Sequence, residues 1–417
     1  MPDYQAPRGM ADVLAPDSAR WAELVATFAS LAERAGFGLV LTPLIEHVEV
    51  FQRVGDSTDI VRREMYDFDD KGGRRMAVRP EITAGLMRAY AEHRPQAPWK
   101  AWTVGPNFRY ESPQAGRYRQ HHQVDAEIVG TDDPDADVEV IALLDAFHHA
   151  LGLRQRTLRL NTLGDQSTRP AYSDALRRHF AGRRELSEQS RQTLELNPLR
   201  VLDSKRPEDA QAIAAAPALA EFVGADAAAH FERVQHGLRQ LGIEFTVDPK
   251  LVRGLDYYTH TTFEVASHAL AGAQDAIGGG GRYNGLVEAL GGPAGTGGVG
   301  FGAGIERILL ACDAEGVFPA PRQRVDVFVV DTTDSGTVMV LASELRAAGW
   351  RVDRAFDARS MKSQMKAADR SGAAVAAIVG SDELAAGTVT LRPLRGGEQE
   401  AVPREKLLHR LTELLAP

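Results

Sequence analysis

The residues with the most chemistry in them fall on one expected strand. Arg119 to Val129 (RQHHQVDAEIV) has extended character, and side chains on a strand alternate between faces. His121, Gln123, Asp125 and Glu127 therefore share one face, and Val124, Ala126 and Ile128 share the other. A polar row opposite an apolar row is ordinary in a half-buried antiparallel sheet. The surroundings add to it. A polar loop, Glu111 to Tyr118, and its flanks carry Arg109, Arg117 and Arg119 around Glu111 and Gly116. Arginines facing a carboxylate row suit an anionic ligand that also bears a cationic group, because guanidinium binds phosphate and carboxylate oxygens bidentately.

Further polar clusters are Arg79-Pro-Glu81-Ile-Thr83 and Arg253-Gly-Leu-Asp256-Tyr257-Tyr258. Adjacent tyrosines on a strand point to opposite faces, so one packs while the other presents its hydroxyl. Gly278 to Gly304 holds 13 of the chain's 39 glycines. Within it, Gly295-Thr-Gly297-Gly-Val-Gly300 matches G-x-G-x-x-G. The preceding segment, Asn284 to Leu290, reads as helix rather than the strand a dinucleotide site requires, so the glycines are read as backbone passing close to something. His121 and His122 are adjacent on a strand, face opposite ways and cannot chelate a metal together.

The elements that position these groups follow from periodicity. Trp21, Leu24, Val25, Phe28, Leu31 and Ala32 recur at helical spacing, and Gly36 ends that helix. Leu39 to Ile45 reads as an edge strand, since Pro43 cannot donate to a ladder. Trp99 to Tyr110 and Arg119 to Val129 form a hairpin. Residues 165–245 are Ala-, Arg- and Glu-rich and read as a helical insertion. Extended structure resumes at Leu251 to Val265, and Ile305 to Cys312 is an apolar helix. After a break at Pro319 to Arg322, strands and helices alternate: Val325–Val330, Val338–Ala347, Val352–Phe356, Met361–Ala368, Ala374–Val379, Thr388–Leu391 and a last helix from Pro403. That pattern is a compact α/β domain.

The chain has 417 residues, 48 basic and 57 acidic, for a net charge of −9. Only seven of the basic residues are Lys. One cysteine, Cys312, excludes a disulfide framework and a Cys-based zinc site. No run approaches the ~18 apolar residues that span a bilayer, and Met1 to Met10 lacks the layout of a signal peptide. A cytoplasmic location and no membrane partner are expected. The net charge argues mildly against nucleic acid. The acidic excess, however, lies before residue 322: residues 322–417 carry 14 basic and 13 acidic side chains.

Taken together, RYESPQAGRYRQHHQVDAEIVG (Arg109 to Gly130), LVRGLDYYTHTTFEV (Leu251 to Val265), GGGRYNGLVEALGG (Gly279 to Gly292) and GFGAGIERILL (Gly300 to Leu310) resemble the histidyl-tRNA synthetases, a class II aminoacyl-tRNA synthetase family. The resemblance runs from Arg8 through Arg79-Pro-Glu81 to the C-terminal domain. It implies an α+β fold, with an antiparallel-sheet catalytic domain at 1–320 carrying the helical insertion and an α/β anticodon-binding domain at 324–417. It implies a homodimer and a ligase that joins ATP and L-histidine into histidyl-adenylate, then charges tRNA(His). By the same resemblance Arg109 and Arg253 grip the α-phosphate as the catalytic pair. Arg117 and Arg307 hold the outer phosphates, and Arg307 and His121 cover adenine. Glu81, Thr83 and Gln123 receive the α-amino group. Glu127 and the Tyr258 hydroxyl bond the imidazole, and Mg²⁺ bridges phosphates without a side-chain cage of its own. Arg359, Lys362, Lys366 and Arg370 fall near helical spacing; the resemblance turns Arg359, Lys362 and Lys366 from a solvated face into tRNA contacts.

The sequence departs from the family pattern at three places: His121 for the usual Phe, Ile82 for Gly and Asn284 for Asp. Two alternatives remain: a synthetase-like regulatory subunit of histidine biosynthesis, and a class II enzyme for another amino acid. The full C-terminal domain argues against the first, and the Glu127–Tyr258 pairing against the second.

Overall fold

The computed structural model describes residues 4–55, 60–183, 185–204, 206–252, 257–270, 275–321, 325–333, 336–356 and 360–415. Arg253 and Arg359 lie outside them. The chain divides into two compact units, Met1–Ala320 and Pro321–Pro417.

The first unit is α+β. Its strands are β1 (Gly38–Leu39), β2 (Ile45–His47), β3 (Tyr66–Asp69), β4 (Arg75–Val78), β5 (Trp99–Phe108), β6 (Gln120–Val129), β7 (Arg156–Thr162), β8 (Thr246–Val247), β9 (Thr259–Ser267), β10 (Ala276–Arg282) and β11 (Gly298–Gly304). Eight of them form one sheet, ordered β1-β5-β6-β11-β10-β9-β7-β8. It is antiparallel except at its two ends, where β1 pairs with β5 and β8 with β7 in parallel. Strands β2, β4 and β3 make a small separate sheet.

One face of the large sheet is covered by helices. Asp17–Arg34 buries Leu24, Phe28 and Ala32, spaced by four residues as a helix face requires. Phe28 meets Trp102, Phe147 and Phe301 edge-on, with ring centroids 5.8, 5.0 and 6.0 Å away. Helix Pro134–Ala150 starts at an Asp133 cap that accepts from Asp135 N at 3.0 Å, followed by Pro at the first position. It brings Val140, Ile141, Leu144 and Phe147 into the same core.

The structure departs from the sequence reading in one place here. Leu39 to Ile45 is not one strand: β1 ends at Leu39 and β2 begins at Ile45, in a different sheet. Pro43 interrupts the ladder, and Thr42 instead turns its oxygens to Arg79, at 3.3 and 3.5 Å. In the helical stretch 165–245, Thr168–Phe180 and the short helices after it share a core with Tyr258, Tyr283 and Leu286. The last helix, Ala225–Gln240, places Phe231, Val234 and Leu238 in the core of the large sheet. Helical periodicity reports that a segment is helical; which core receives its apolar face is decided by distant residues.

The second unit has β12 (Val327–Asp331), β13 (Val352–Arg354), β14 (Val375–Val379), β15 (Thr388–Pro393) and β16 (Glu400–Pro403), ordered β13-β12-β14-β15-β16. The first three are parallel and the last two antiparallel. Strand β16 has no counterpart in the sequence reading, being only four residues long and ended by Pro403.

The glycines of β10 are a packing requirement. A Cβ on Gly280 would lie 1.9 Å from Gly300 O and 2.7 Å from Phe301 Cα, both backbone atoms that cannot yield cheaply. Gly280→Ala is expected to lower stability by about 1–3 kcal/mol, read as a lower urea midpoint with an unchanged m-value. An unchanged midpoint would show that β10 and β11 separate without penalty.

Candidate active site

The polar face of β6 forms the floor of a cleft of about 270 Å³ that opens to solvent. Glu81, Thr83, Arg109, Arg117, His121, Gln123, Tyr258 and Arg307 all line it. The sheet register explains how a row of polar side chains fits there. Opposite Gln123, Asp125 and Glu127, strand β11 places Gly304, Gly302 and Gly300. On the other side β5 places Gly105, Thr103 and Ala101. Small residues on both sides leave a trough, and the carboxylates lie across it. A Cβ on Gly300 would sit 1.5 Å from Glu127 Oε2, and one on Gly302 would sit 2.3 Å from Asp125 Oδ1. The glycine-dense stretch thus keeps close company with site side chains.

One end of the trough is acidic. Glu127 is 1% exposed and lies beneath the cleft surface. Its carboxyl accepts from Thr83 Oγ1 at 2.8 Å and from the Tyr283 hydroxyl. Burial pushes it up to about 8; the bonds from Tyr283 and Thr83 oppose the rise and the Glu81 charge adds to it. Glu81 caps the start of helix Thr83–His93, accepting from Ala84 N at 2.7 Å, and burial raises it as well. Asp125 is buried between them and is held well above the usual carboxylate range by burial and by the Glu127 and Glu81 charges. Arg79 sits beside this group, its Nε donating to Pro106 O at 2.8 Å. Gln123 Oε1 accepts from Asn107 Nδ2 at 2.5 Å.

The other end is basic. Arg109 Nε donates to Pro80 O at 2.8 Å, which ties the hairpin to the Arg79-Pro-Glu81 turn. Arg307 Nε donates to Gly116 O at 2.7 Å, tying the helix Ile305–Glu315 to the hairpin loop. Arg117 pairs with Glu111 and lies 3.8 Å from Glu64 Oε1. Glu64 is pushed up to about 7 by burial and by the neighbouring Glu111 charge, while the bond from Arg117 holds Glu111 below the usual carboxylate range against its burial. His121 is driven down to about 3 by burial and by the charges of Arg109 and Arg307. At neutral pH it is an uncharged ring, able to stack on a flat ligand.

Several residues of the site escape a local reading. Tyr283, 156 positions from Glu127, holds that carboxyl from below. Asp125 stands in the recognised polar row yet carries no role in the sequence reading. Glu64, Glu111, Glu264 and Glu306 come in from separate segments. Arg282 is buried and bonded to Asp137, with Nη1 donating to Thr131 O at 2.8 Å, so its task is to fix β10 to helix Pro134–Ala150. His122 faces away from the trough and meets Glu306 at 2.8 Å and the Trp21 ring edge-on. One expectation is overturned. Tyr257 and Tyr258 do not point to opposite faces; their rings pack 4.7 Å apart and both line the cleft. They precede β9, which starts at Thr259, so the alternation of a strand does not govern them.

Lys362 and Lys366 belong to the second unit. Both are exposed on helix Met361–Ser371, whose buried Gln364 accepts from Asp331 N at 3.0 Å and pins it to β12.

A family model described as histidyl-tRNA synthetase matches residues 9–308, and one described as an anticodon binding domain matches 325–414. A histidine–tRNA ligase of Rhodococcus erythropolis is 46% identical, over 99% of this chain and 98% of its own. One of Geobacillus kaustophilus is 45% identical over 98% of both. Among solved structures, the apo histidyl-tRNA synthetase of S. aureus superposes with a TM-score of 0.83 at 34% identity, covering 98% of this chain and 99% of that one.

The Glu127 environment makes a pH-dependent prediction. A carboxyl raised from 4.5 to about 8 folds preferentially in its protonated form. Its contribution to stability is complete below about pH 4.5 and is lost as pH rises through about 8. Gln does not titrate, so the stability of Glu127→Gln relative to the parent chain should rise between pH 5 and pH 8, by on the order of a few kcal/mol. Denaturant titrations of both proteins at the two pH values measure it. A difference independent of pH would place the ionised carboxylate in the folded state throughout.

Proposed function

The chain belongs to the histidyl-tRNA synthetase family, and from that premise we propose that it is a histidine–tRNA ligase, activating L-histidine with ATP and transferring it to the 3′ end of tRNA(His). The observation that carries this reading is a single cleft with a basic end and an acidic end. The first suits phosphates; the second suits an amino acid bearing an ammonium and an imidazole. The anticodon-binding match at 325–414 disfavours the regulatory-subunit alternative.

Adenylation needs the substrate carboxylate placed in line with the α-phosphate, and the charge that develops there stabilised. Arg109 is held by Pro80 O and faces the cleft; with Arg253 it takes the α-phosphate. Arg117 takes the outer phosphates in exchange for Glu111 and Glu64. Arg307 and the neutral His121 flank adenine. Mg²⁺ bound with ATP would supply neutralisation of part of the phosphate charge. Glu264, which lines the cleft and interacts with Arg307, is a hard oxygen donor of the kind it prefers.

Glu127 and Tyr258 receive the imidazole. Thr83 and Tyr283 use part of the Glu127 acceptor capacity, and each carboxylate oxygen has two lone pairs. An imidazole N–H favours the ionised form and draws Glu127 down from its raised pKa. An aliphatic amino acid leaves these groups unpaired, which discriminates by ~10⁴ or more.

The exposed apolar side chains Leu39, Leu41, Leu44 and Ile45, beside the short edge strand β1, fit a homodimer face. Lys362, Lys366 and Arg359 contact the tRNA. No described helix is long and apolar enough to cross a membrane, in keeping with a cytoplasmic enzyme.

An amino-acid screen of pyrophosphate exchange, followed by charging of purified tRNA, tests the proposal. Exchange should require histidine, and its absence in folded, Mg²⁺-loaded protein would overturn the reading. Arg109→Ala and Arg253→Ala should each lower the exchange rate by about 10²–10³, with little change in histidine affinity. A rate loss matched by an equal loss of histidine binding would move either arginine from the phosphate to the amino acid.

A further inference from the structure

We propose that Asp125 is the anionic partner of the substrate's α-ammonium group, a specificity-determining contact additional to Glu81, Thr83 and Gln123; the inference rests on the ligase reading above. An ammonium brings three N–H donors and requires acceptors. Each side chain expected to serve it already holds a hydrogen bond within the protein. Glu81 Oε1 accepts from Ala84 N, the Thr83 hydroxyl donates to Glu127, and Gln123 Oε1 accepts from Asn107. The outward group of Gln123 is its NH₂, itself a donor.

Asp125 differs. It is 3% exposed, it lines the cleft, and its Oδ2 is the only buried carboxylate oxygen among the described residues without a hydrogen-bond partner. Two more buried groups on the facing strand β5 are in the same condition. Thr103 Oγ1 belongs to the residue directly opposite Asp125 on β5, and Asn107 Oδ1 stands further along the same face. An unpaired buried acceptor costs about 1–3 kcal/mol, so the bare Oδ2 of Asp125 at the cleft floor marks the place of a missing donor. The other side is cleared by Gly302, where a Cβ would lie 2.3 Å from Asp125 Oδ1 and 2.9 Å from Gln123 Nε2. The charged groups facing Asp125 are Glu127, Glu81, Arg79 and Arg109. Burial, with crowding by the two carboxyls, pushes its carboxyl above the usual range, and a neighbouring cation opposes that shift.

The test compares Asp125→Asn with the parent full-length chain by isothermal titration with three ligands. L-Histidine carries both ammonium and carboxylate; histamine keeps only the ammonium; 3-(imidazol-4-yl)propionate keeps only the carboxylate. Asp125→Asn should weaken histidine and histamine about tenfold or more and leave imidazolylpropionate within about twofold, since a charge-assisted bond is lost only where the ammonium exists. Comparing ligands within one variant cancels any inactive fraction, and Asp125→Ser replaces Asn if that variant does not fold. Equal weakening of all three would make Asp125 a packing residue and overturn the proposal. Unchanged affinity for all three would show that water satisfies Oδ2, and would overturn it too. A parent chain that does not bind histidine would overturn the ligase reading along with it.

Discussion

Everything in the first unit answers to one difficulty: carboxyls side by side in a sheet interior. Asp125 and Glu127 lie on one face of β6, with Glu81 beside them at a helix start, and all three are buried. Desolvation and mutual repulsion both resist this. Two structural provisions make it possible. Glycines of β11 and small residues of β5 leave the volume. Protons and hydrogen bonds from Thr83, Tyr283 and Ala84 remove part of the charge.

The same economy shapes the basic end. Arg109 and Arg307 are held by backbone oxygens of Pro80 and Gly116, so their positions are set before any ligand binds. Preorganised charge of this kind is what acyl and phosphoryl chemistry draws on. The scaffold behind it is ordinary packing: Phe28 against Trp102, Phe147 and Phe301, and the buried Arg282–Asp137 pair fixing β10 to its helix.

The sequence was legible where chemistry follows a local period. The row His121, Gln123, Asp125 and Glu127 is visible because a strand alternates, and the first helix because Leu24, Phe28 and Ala32 repeat at four. It was opaque where partners are far apart. Nothing near Gly300 names Glu127 as the atom group it must admit, and nothing near Tyr283 shows the carboxyl it holds. The tyrosine pair misled because alternation was extended two residues before β9 begins. The run through Pro43 misled because a hydrophobic pattern carries no record of a change of sheet. The roles of the arginines came from motif resemblance, and their spacing alone would not have supplied them.

Arg117 is not bare. Glu111 pairs with it and Glu64 stands 3.8 Å away. An anion that approaches Arg117 therefore meets a guanidinium already paired, and must exchange with the Glu111 carboxylate to bind it. A ligand that touches the cleft at several points can offset that exchange with its other contacts, whereas a small anion has fewer to set against it.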